Sequence, residues 1–246
     1  MSTPPAPAAG PDARGDPDDH GHRMPIRDAA TIVLVRDTGS DNPRVLMGQR
    51  GAGAAFMPNK FVFPGGAIDP DDSLITLAEP LEAAERRRLL HQPVTEAAPP
   101  PEAMIAAAIR ELWEEAGLML AVPGAWEGPL PDDWARFAEA ARRPSPRGLR
   151  YLFRAITPPG RTRRFDARFF LADAGAIEAD LDDFSHACEE LSHLHWIGLD
   201  EARRLDLPFV TEVVLAEAAA VLREGRLESV PFFDNAGPMA TFRRID

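Results

Sequence analysis

Cysteine is all but missing: Cys188 is the single one in 246 residues. One thiol cannot close an intramolecular disulfide or build a cysteine metal cage, and a reduced compartment is expected. Long apolar runs are also absent, the longest falling well short of the roughly 18 to 20 residues that cross a bilayer. The opening stretch STPPAPAAGPDARGDPDDHGH is polar throughout and lacks the apolar core of a signal peptide. Basic charge is in deficit, 27 Lys and Arg against 39 Asp and Glu, a net charge of -12. That balance excludes a general nucleic-acid binder, since phosphate backbones need a basic face. Neither a nucleic acid nor a membrane is an expected partner. What remains is ample for a fold: an apolar fraction of 45% is globular, and the length suits one large domain or two small ones.

Residues 1–24, rich in Pro, Ala, Gly and Asp, have almost nothing to bury and are expected to form a disordered tail. The run 29–35 (AATIVLV) reads as a central strand, 37–43 as a turn, and 44–48 as a returning strand. Residues 61–63 form a third short strand, stopped by Pro64-Gly65-Gly66. The clearest helix covers 102–116: Ile105, Ile109, Leu112 and Ala116 keep helical rhythm, prolines precede it, and Gly117 sits where a left-handed cap belongs. Strands are expected at 151–156, 165–171 and 194–197, a short helix at 201–204, and a longer one at 211–223. Two further helices, 81–91 and 131–143, are flanked by prolines and read as excursions. Strands on both sides of the main helix, with no convincing linker, predict an α/β fold: one domain over 25–246 with a mixed sheet packed by helices.

Within the helix, Glu111, Glu114 and Glu115 fall in an arc of about 100°, away from the apolar stripe. Like charges at this spacing repel, and acids in a last turn oppose the helix dipole. Two readings stand: a solvated acidic face with Arg110 paired to Glu114, or an oxygen-donor site for a hard divalent cation, which would reverse the sign of the repulsion. Gly65 and Gly66 follow a strand, where glycine lets backbone N–H groups approach an anion or a carboxylate.

Taken together, these pieces resemble the Nudix hydrolase signature. Gly66 matches its first glycine, Asp72 stands where the family usually has Glu, and Arg110-Glu-Leu-Trp-Glu-Glu-Ala-Gly-Leu118 matches its second half fully. Thirty-seven residues, 73–109, separate Asp72 from Arg110, thirty more than usual. This split box, with Val62-Phe-Pro-Gly-Gly66 and Asp69-Pro-Asp-Asp72, is similar to the subgroup that includes the peroxisomal coenzyme A diphosphatase of mammals. The resemblance implies an α/β/α sandwich with an insertion (73–101) inside the box. It also implies Mg2+- or Mn2+-dependent cleavage of the pyrophosphate bond in a nucleoside diphosphate linked to another moiety. A coenzyme A-type or ADP-ribose-type substrate is the expectation. Glu111, Glu114 and Glu115 would be the metal ligands, with Arg110 orienting them. A non-catalytic, nucleotide-binding regulator of the same fold is the alternative, and a homodimer is compatible with the family.

Outside the box, Glu189 or Glu190 precedes a Trp-bearing strand and is the candidate catalytic base, against a solvated acidic loop. Arg50 and Lys60, flanking the 51–59 loop, are substrate-binding candidates with Gly65 and Gly66. His186, His193 and His195 form no metal-ligand spacing, and nothing argues for a reactive Cys188. Arg86, Arg87 and Arg88 in the insertion could cover phosphates as a lid or be solvated with Leu89 and Leu90 against the core. Arg161-Thr-Arg-Arg164 could meet a phosphate or be a charged turn. The C-terminal Phe-Arg-Arg-Ile-Asp differs from a Ser-Lys-Leu address, and the expected location is the cytoplasm.

Overall fold

The apolar run 29–35 forms the middle of strand β1 (Ile26–Arg36) in the computed structural model, which describes residues 24–94, 97–237 and 239–246. The expected tail lies outside the described residues apart from Met24. Strand β1 is apolar on both faces because both are covered. Ile32 and Leu34 belong to one core, Val33 and Val35 to a second, and all four are fully buried. Successive strand side chains point to opposite faces, so each face of the sheet must carry its own layer.

β1 turns antiparallel into β2 (Arg44–Arg50), followed by β3 (Phe61–Val62), β4 (Gly65–Ala67), α1 (Ala83–Leu89) and α2 (Pro101–Ala116). A small unit of β5 (Ala121–Pro123), α3 (Ala135–Glu139) and β6 (Arg142–Pro144) comes next. The chain then forms β7 (Arg150–Ile156), β8 (Arg164–Asp173), β9 (Leu191–Gly198), α4 (Leu199–Ala202) and α5 (Phe209–Glu224). β10 (Val230–Asp234) and β11 (Thr241–Ile245) complete it. The main sheet runs β11-β10-β7-β8-β1-β2-β3, with β4 on β1 and β9 on β2. β1 pairs with β8 and β10 with β7 in parallel; the other pairs are antiparallel, so the sheet is mixed. Met104, Ile105, Ile109 and Leu112 of α2 fill the core on one face, and Val214, Leu215, Ala218 and Val221 of α5 fill the other. The result is the α/β/α sandwich that the resemblance implied.

Several expectations need correction. β3 does stop before Pro64, but Gly65 and Gly66 are not only a turn: Gly65–Ala67 pairs with Thr31, Ala30 and Ala29 of β1 as a strand of its own. Residues 131–143 are not one helix but a 3-10 turn (Asp132–Trp134), the short α3 and then β6. The short helix expected at 201–204 lies at Leu199–Ala202. β5, β10 and β11 went unread, because their short, Pro- or Arg-bearing sequences lack a clear alternation.

The insertion is not an excursion either. Ile75, Leu77 and Leu89 are buried in the α2-side core. Glu85 accepts the Tyr151 backbone N–H at 2.7 Å, and buried Arg154 donates to the carbonyls of His91 (2.6 Å) and Gln92 (3.0 Å). The segment is therefore tied to β7 and adds to the core around α2, a helix with thirteen of its sixteen residues buried. Alanines at 103, 106, 107 and 108 make this possible, since small side chains let covering segments approach closely.

Candidate functional site

The C-terminal half of α2 lies against β4. Arg110 is 3% exposed and uses every N–H it has. Its Nε and Nη2 grip Asp72 at 2.9 and 3.0 Å, Nη1 donates to Glu111 (2.9 Å) and Glu114 (3.0 Å), and Nη2 also reaches the Ala67 carbonyl at 3.1 Å. Burial works against its charge, but the Asp72 bond with the fields of Glu111, Asp72 and Glu114 outweighs it and raises the pKa further. The long separation does not displace Asp72. It sits in the 3-10 turn Pro70–Leu74, 1% exposed, and accepts the Asp69 N–H at 2.9 Å. Sequence reasoning missed Ala67, because a backbone carbonyl leaves no signature.

The glutamates are not a solvated face. Glu115 is 2% exposed and Glu111 is 9%. One Glu115 oxygen, Oε2, accepts the Gly65 N–H at 2.7 Å; the other, Oε1, is buried without a hydrogen-bond partner. Burial raises the Glu115 carboxyl well above its ordinary value, and the neighbouring charges of Glu111 and Glu190 add to that. Burial likewise lifts Glu111 to about 7, opposed by Arg110 and reinforced by Glu114 and Glu190. Glu114 is raised too, chiefly by burial. The expected Arg110–Glu114 pair exists, yet within a buried network rather than on a solvated surface.

Gly66 is close to Glu111: a β-carbon there would lie 2.5 Å from its Cδ. Gly66 thus admits the Glu111 carboxylate to the strand, while the bare face of Gly65 lets β4 approach Thr31 and Ala30 of β1. In this structure the Gly65 N–H is engaged by Glu115.

Glu190, in the loop before β9, pairs with Arg50 at 2.9 Å, and its charge reaches both Glu111 and Glu115; Glu189 beside it is exposed. This loop is fixed to the end of α2, where the Cys188 N–H donates to the Glu114 carbonyl at 2.7 Å and His186 rests against Trp113. Burial and the nearby carboxylates raise the Cys188 thiol, as suits an unreactive side chain. Lys60 points elsewhere, to Asp206. His193 and His195 are on β9, the latter edge-on to Phe61. Arg86 pairs with Glu102 and Arg88 with the Glu228 carbonyl, while Arg87 is exposed. The structure therefore brings together Glu111, Glu114, Glu115, Arg110, Asp72, Gly65, Gly66, Arg50 and Glu190, and leaves Lys60 and the insertion arginines apart.

Among the described residues no three His, Cys, Asp or Glu side chains are arranged so as to hold a metal ion, and Glu111 is turned to Arg110. The donor set nevertheless fits a hard cation: all-oxygen ligands, one of them a buried carboxylate oxygen with no partner. Likewise among the described residues, no helix is long and apolar enough to cross a membrane.

No protein-family model matches the chain. A curated Caenorhabditis elegans protein that carries the name nudix hydrolase 7 is 28% identical over 186 residues, covering 70% of this chain and 51% of its own length. The chain thus spans about half the length of that relative. A solved Nudix hydrolase structure from Alicyclobacillus acidocaldarius is 26% identical, with a TM-score of 0.59, covering 81% of this chain and 96% of the other. The fold is the Nudix fold, and sequence and structure both support the Nudix hydrolase superfamily. Neither comparison singles out the split-box, coenzyme A-type subgroup.

Proposed function

We propose that this chain, on the premise of its Nudix fold, is a pyrophosphohydrolase dependent on Mg2+ or Mn2+, acting on a nucleoside diphosphate linked to another moiety. A coenzyme A-type or ADP-ribose-type substrate is the reading we favour within that class, carried by the likeness of the split box. The observation that carries the proposal is the partnerless, buried Oε1 of Glu115 beside Glu111. Burial and the neighbouring carboxylates drive this group towards its protonated form, and a bound cation would take the place of that proton.

Glu111, Glu114 and Glu115 would hold the ion. When bound, it supplies positive charge against the pyrophosphate oxygens, which otherwise shield phosphorus from a nucleophile. The rest falls to the chain's own groups. The Gly65 N–H fixes one Glu115 oxygen, so the other has a set direction. Arg110, anchored by Asp72, orients Glu111 and Glu114 without reaching substrate itself, because its donors are all spent. Glu190, or Glu189 beside it, would accept the proton of the attacking water. Arg50, whose Nε is buried without a partner, has donor capacity for a phosphate oxygen.

A panel of coenzyme A, ADP-ribose, NADH, dinucleoside polyphosphates and nucleoside triphosphates, assayed with each metal, tests the reading. Cleavage of at least one, abolished by chelator, is expected. Tight binding without turnover across the panel would instead favour the non-catalytic regulator.

A further inference from the structure

We infer that Arg161 and Arg163, at the tip of the turn between β7 and β8, form a second anion subsite that reads a phosphate monoester remote from the scissile pyrophosphate. The inference rests on the pyrophosphohydrolase reading above.

From sequence, the cluster 161–164 was open between a phosphate contact and a charged turn. The structure divides it. Arg164 turns inward and is 4% exposed, donating to the carbonyls of Thr157 (3.0 Å) and Asn235 (2.8 Å). Asn235 in turn donates to the Ile156 carbonyl at 2.9 Å, and the Phe165 N–H reaches the Thr157 hydroxyl at 3.0 Å. These bonds fix the base of the turn. At its tip Arg161 and Arg163 are exposed, and neither has a hydrogen bond or ion pair among the described residues. The chain carries 12 excess negative charges, and Arg36, Arg44, Arg50 and Arg110 all pair with carboxylates. Arg161 and Arg163 are thus an uncommitted donor pair, as Arg203 and Arg204 are after α4, and it is their docking on the 51–59 loop that sets them apart.

Their position links them to the candidate site. Thr162, between the two arginines, donates through its hydroxyl to the Ala55 carbonyl at 3.2 Å, and Phe56 meets Phe165 edge-on with centroids 5.4 Å apart. The turn is therefore docked on the 51–59 loop. That loop begins at Arg50, which holds Glu190 beside the buried glutamates. Its base is closed by Arg50 N–H to Lys60 carbonyl (3.0 Å) and Asn59 N–H to Arg50 carbonyl (3.1 Å). Met57 and Asn59 are both held at positive φ, 51° and 62°, a conformation that persists only where surrounding contacts fix it. The loop is thus a set arm between Arg50 and the basic turn. Five residues of chain reach at most about 18 Å, a span that one extended nucleotide-type molecule can bridge. A phosphate monoester, with a charge near -2 and three terminal oxygens, suits paired guanidinium forks better than a diester does.

Coenzyme A and 3′-dephospho-coenzyme A differ by one phosphate monoester and make the probe pair. Their kcat and KM with Mn2+, and their affinities by isothermal titration, would be compared in the wild type, in R161A/R163A and in R87A. The wild type should favour coenzyme A through KM by about tenfold or more, the usual yield of one charge-assisted contact. The double variant should lose most of that ratio. R87A, which removes an equally exposed charge elsewhere, should keep it. An unchanged ratio in the double variant, an equal loss in R87A, or no preference in the wild type would overturn the inference. If the wild type binds both compounds but cleaves neither, the pyrophosphohydrolase reading fails, and the ratio of affinities still decides the role of the two arginines.

Discussion

Gly65 and Gly66 are adjacent, yet alanine at each should fail in a different way. Neither lies at positive φ, so the backbone itself accepts alanine and only the new methyl group matters. At 65 that methyl would stand 2.6 Å from Thr31 Cα and 2.7 Å from the Ala30 carbonyl oxygen, both backbone atoms of the central strand. Carbon contacts settle near 3.5 to 4 Å, so β4 would have to lift by about 1 Å from β1. Overpacking of this kind costs roughly 1 to 3 kcal/mol, and more where backbone must move. For a chain of this size that lowers Tm by about 2 to 12 °C. At 66 the nearest atoms to the methyl would be the end of the Glu111 side chain, 2.5 Å to Cδ, and this carboxylate can swing away from Arg110. Relieving a crowded, buried acid offsets the lost ion pair, so Tm should change by less than about 2 °C. The carboxylate, however, would leave the position proposed for the metal. Thermal unfolding with and without Mn2+, alongside turnover, separates the two cases. G65A should melt early. G66A should melt like the wild type but respond to Mn2+ only at tenfold or higher concentration, with turnover reduced in proportion. A G66A protein as destabilised as G65A, with an unaltered Mn2+ response, would refute the reasoning.

Glu115→Gln keeps volume but removes charge; turnover should fall by orders of magnitude with the fold intact, and near wild-type turnover would remove Glu115 from the metal set. Arg110→Ala would strand Asp72, 1% exposed, without its partner, and should cost about 3 to 5 kcal/mol in urea unfolding; a loss under 1 kcal/mol would contradict the buried network. Glu111, Glu114 and Glu115 all have raised folded-state values, so their contribution to metal-free stability is full below about pH 4.5 and is lost as pH rises through about 7 for Glu111. The metal-free urea midpoint should therefore fall between pH 5 and 8, and millimolar Mg2+ should reverse the trend; a midpoint that rises over this range without metal would contradict the assignment. Deleting most of 73–101 would restore ordinary box spacing but remove Ile75, Leu77 and Leu89 from the core, each worth about 1.5 to 3 kcal/mol. The shortened chain should fail to melt cooperatively, and a sharp transition near the wild-type Tm would show that the insertion is dispensable.

The sequence alone carried whatever depends on local pattern. The 29–35 run, the helix ending at Gly117 (φ 70°) and the acidic arc were readable because strand alternation, helical rhythm and a left-handed cap each involve residues close in the chain. The same holds for the box motif, whose second half is nine consecutive residues. Tertiary structure decided what those residues face. No pattern within 102–116 could show that α2 is buried almost all round, because the cover comes from the insertion and from loops far along the chain. Nor could spacing show that Asp72 holds Arg110 across 37 intervening residues, since loop closure constrains reach only weakly with length. The cluster 161–164 is the sharpest case. Its three arginines are chemically identical, yet one is locked beneath Asn235 and two are left free above the 51–59 loop. That division follows from which strand pairs with which, and pairing between distant segments is not written in any one of them.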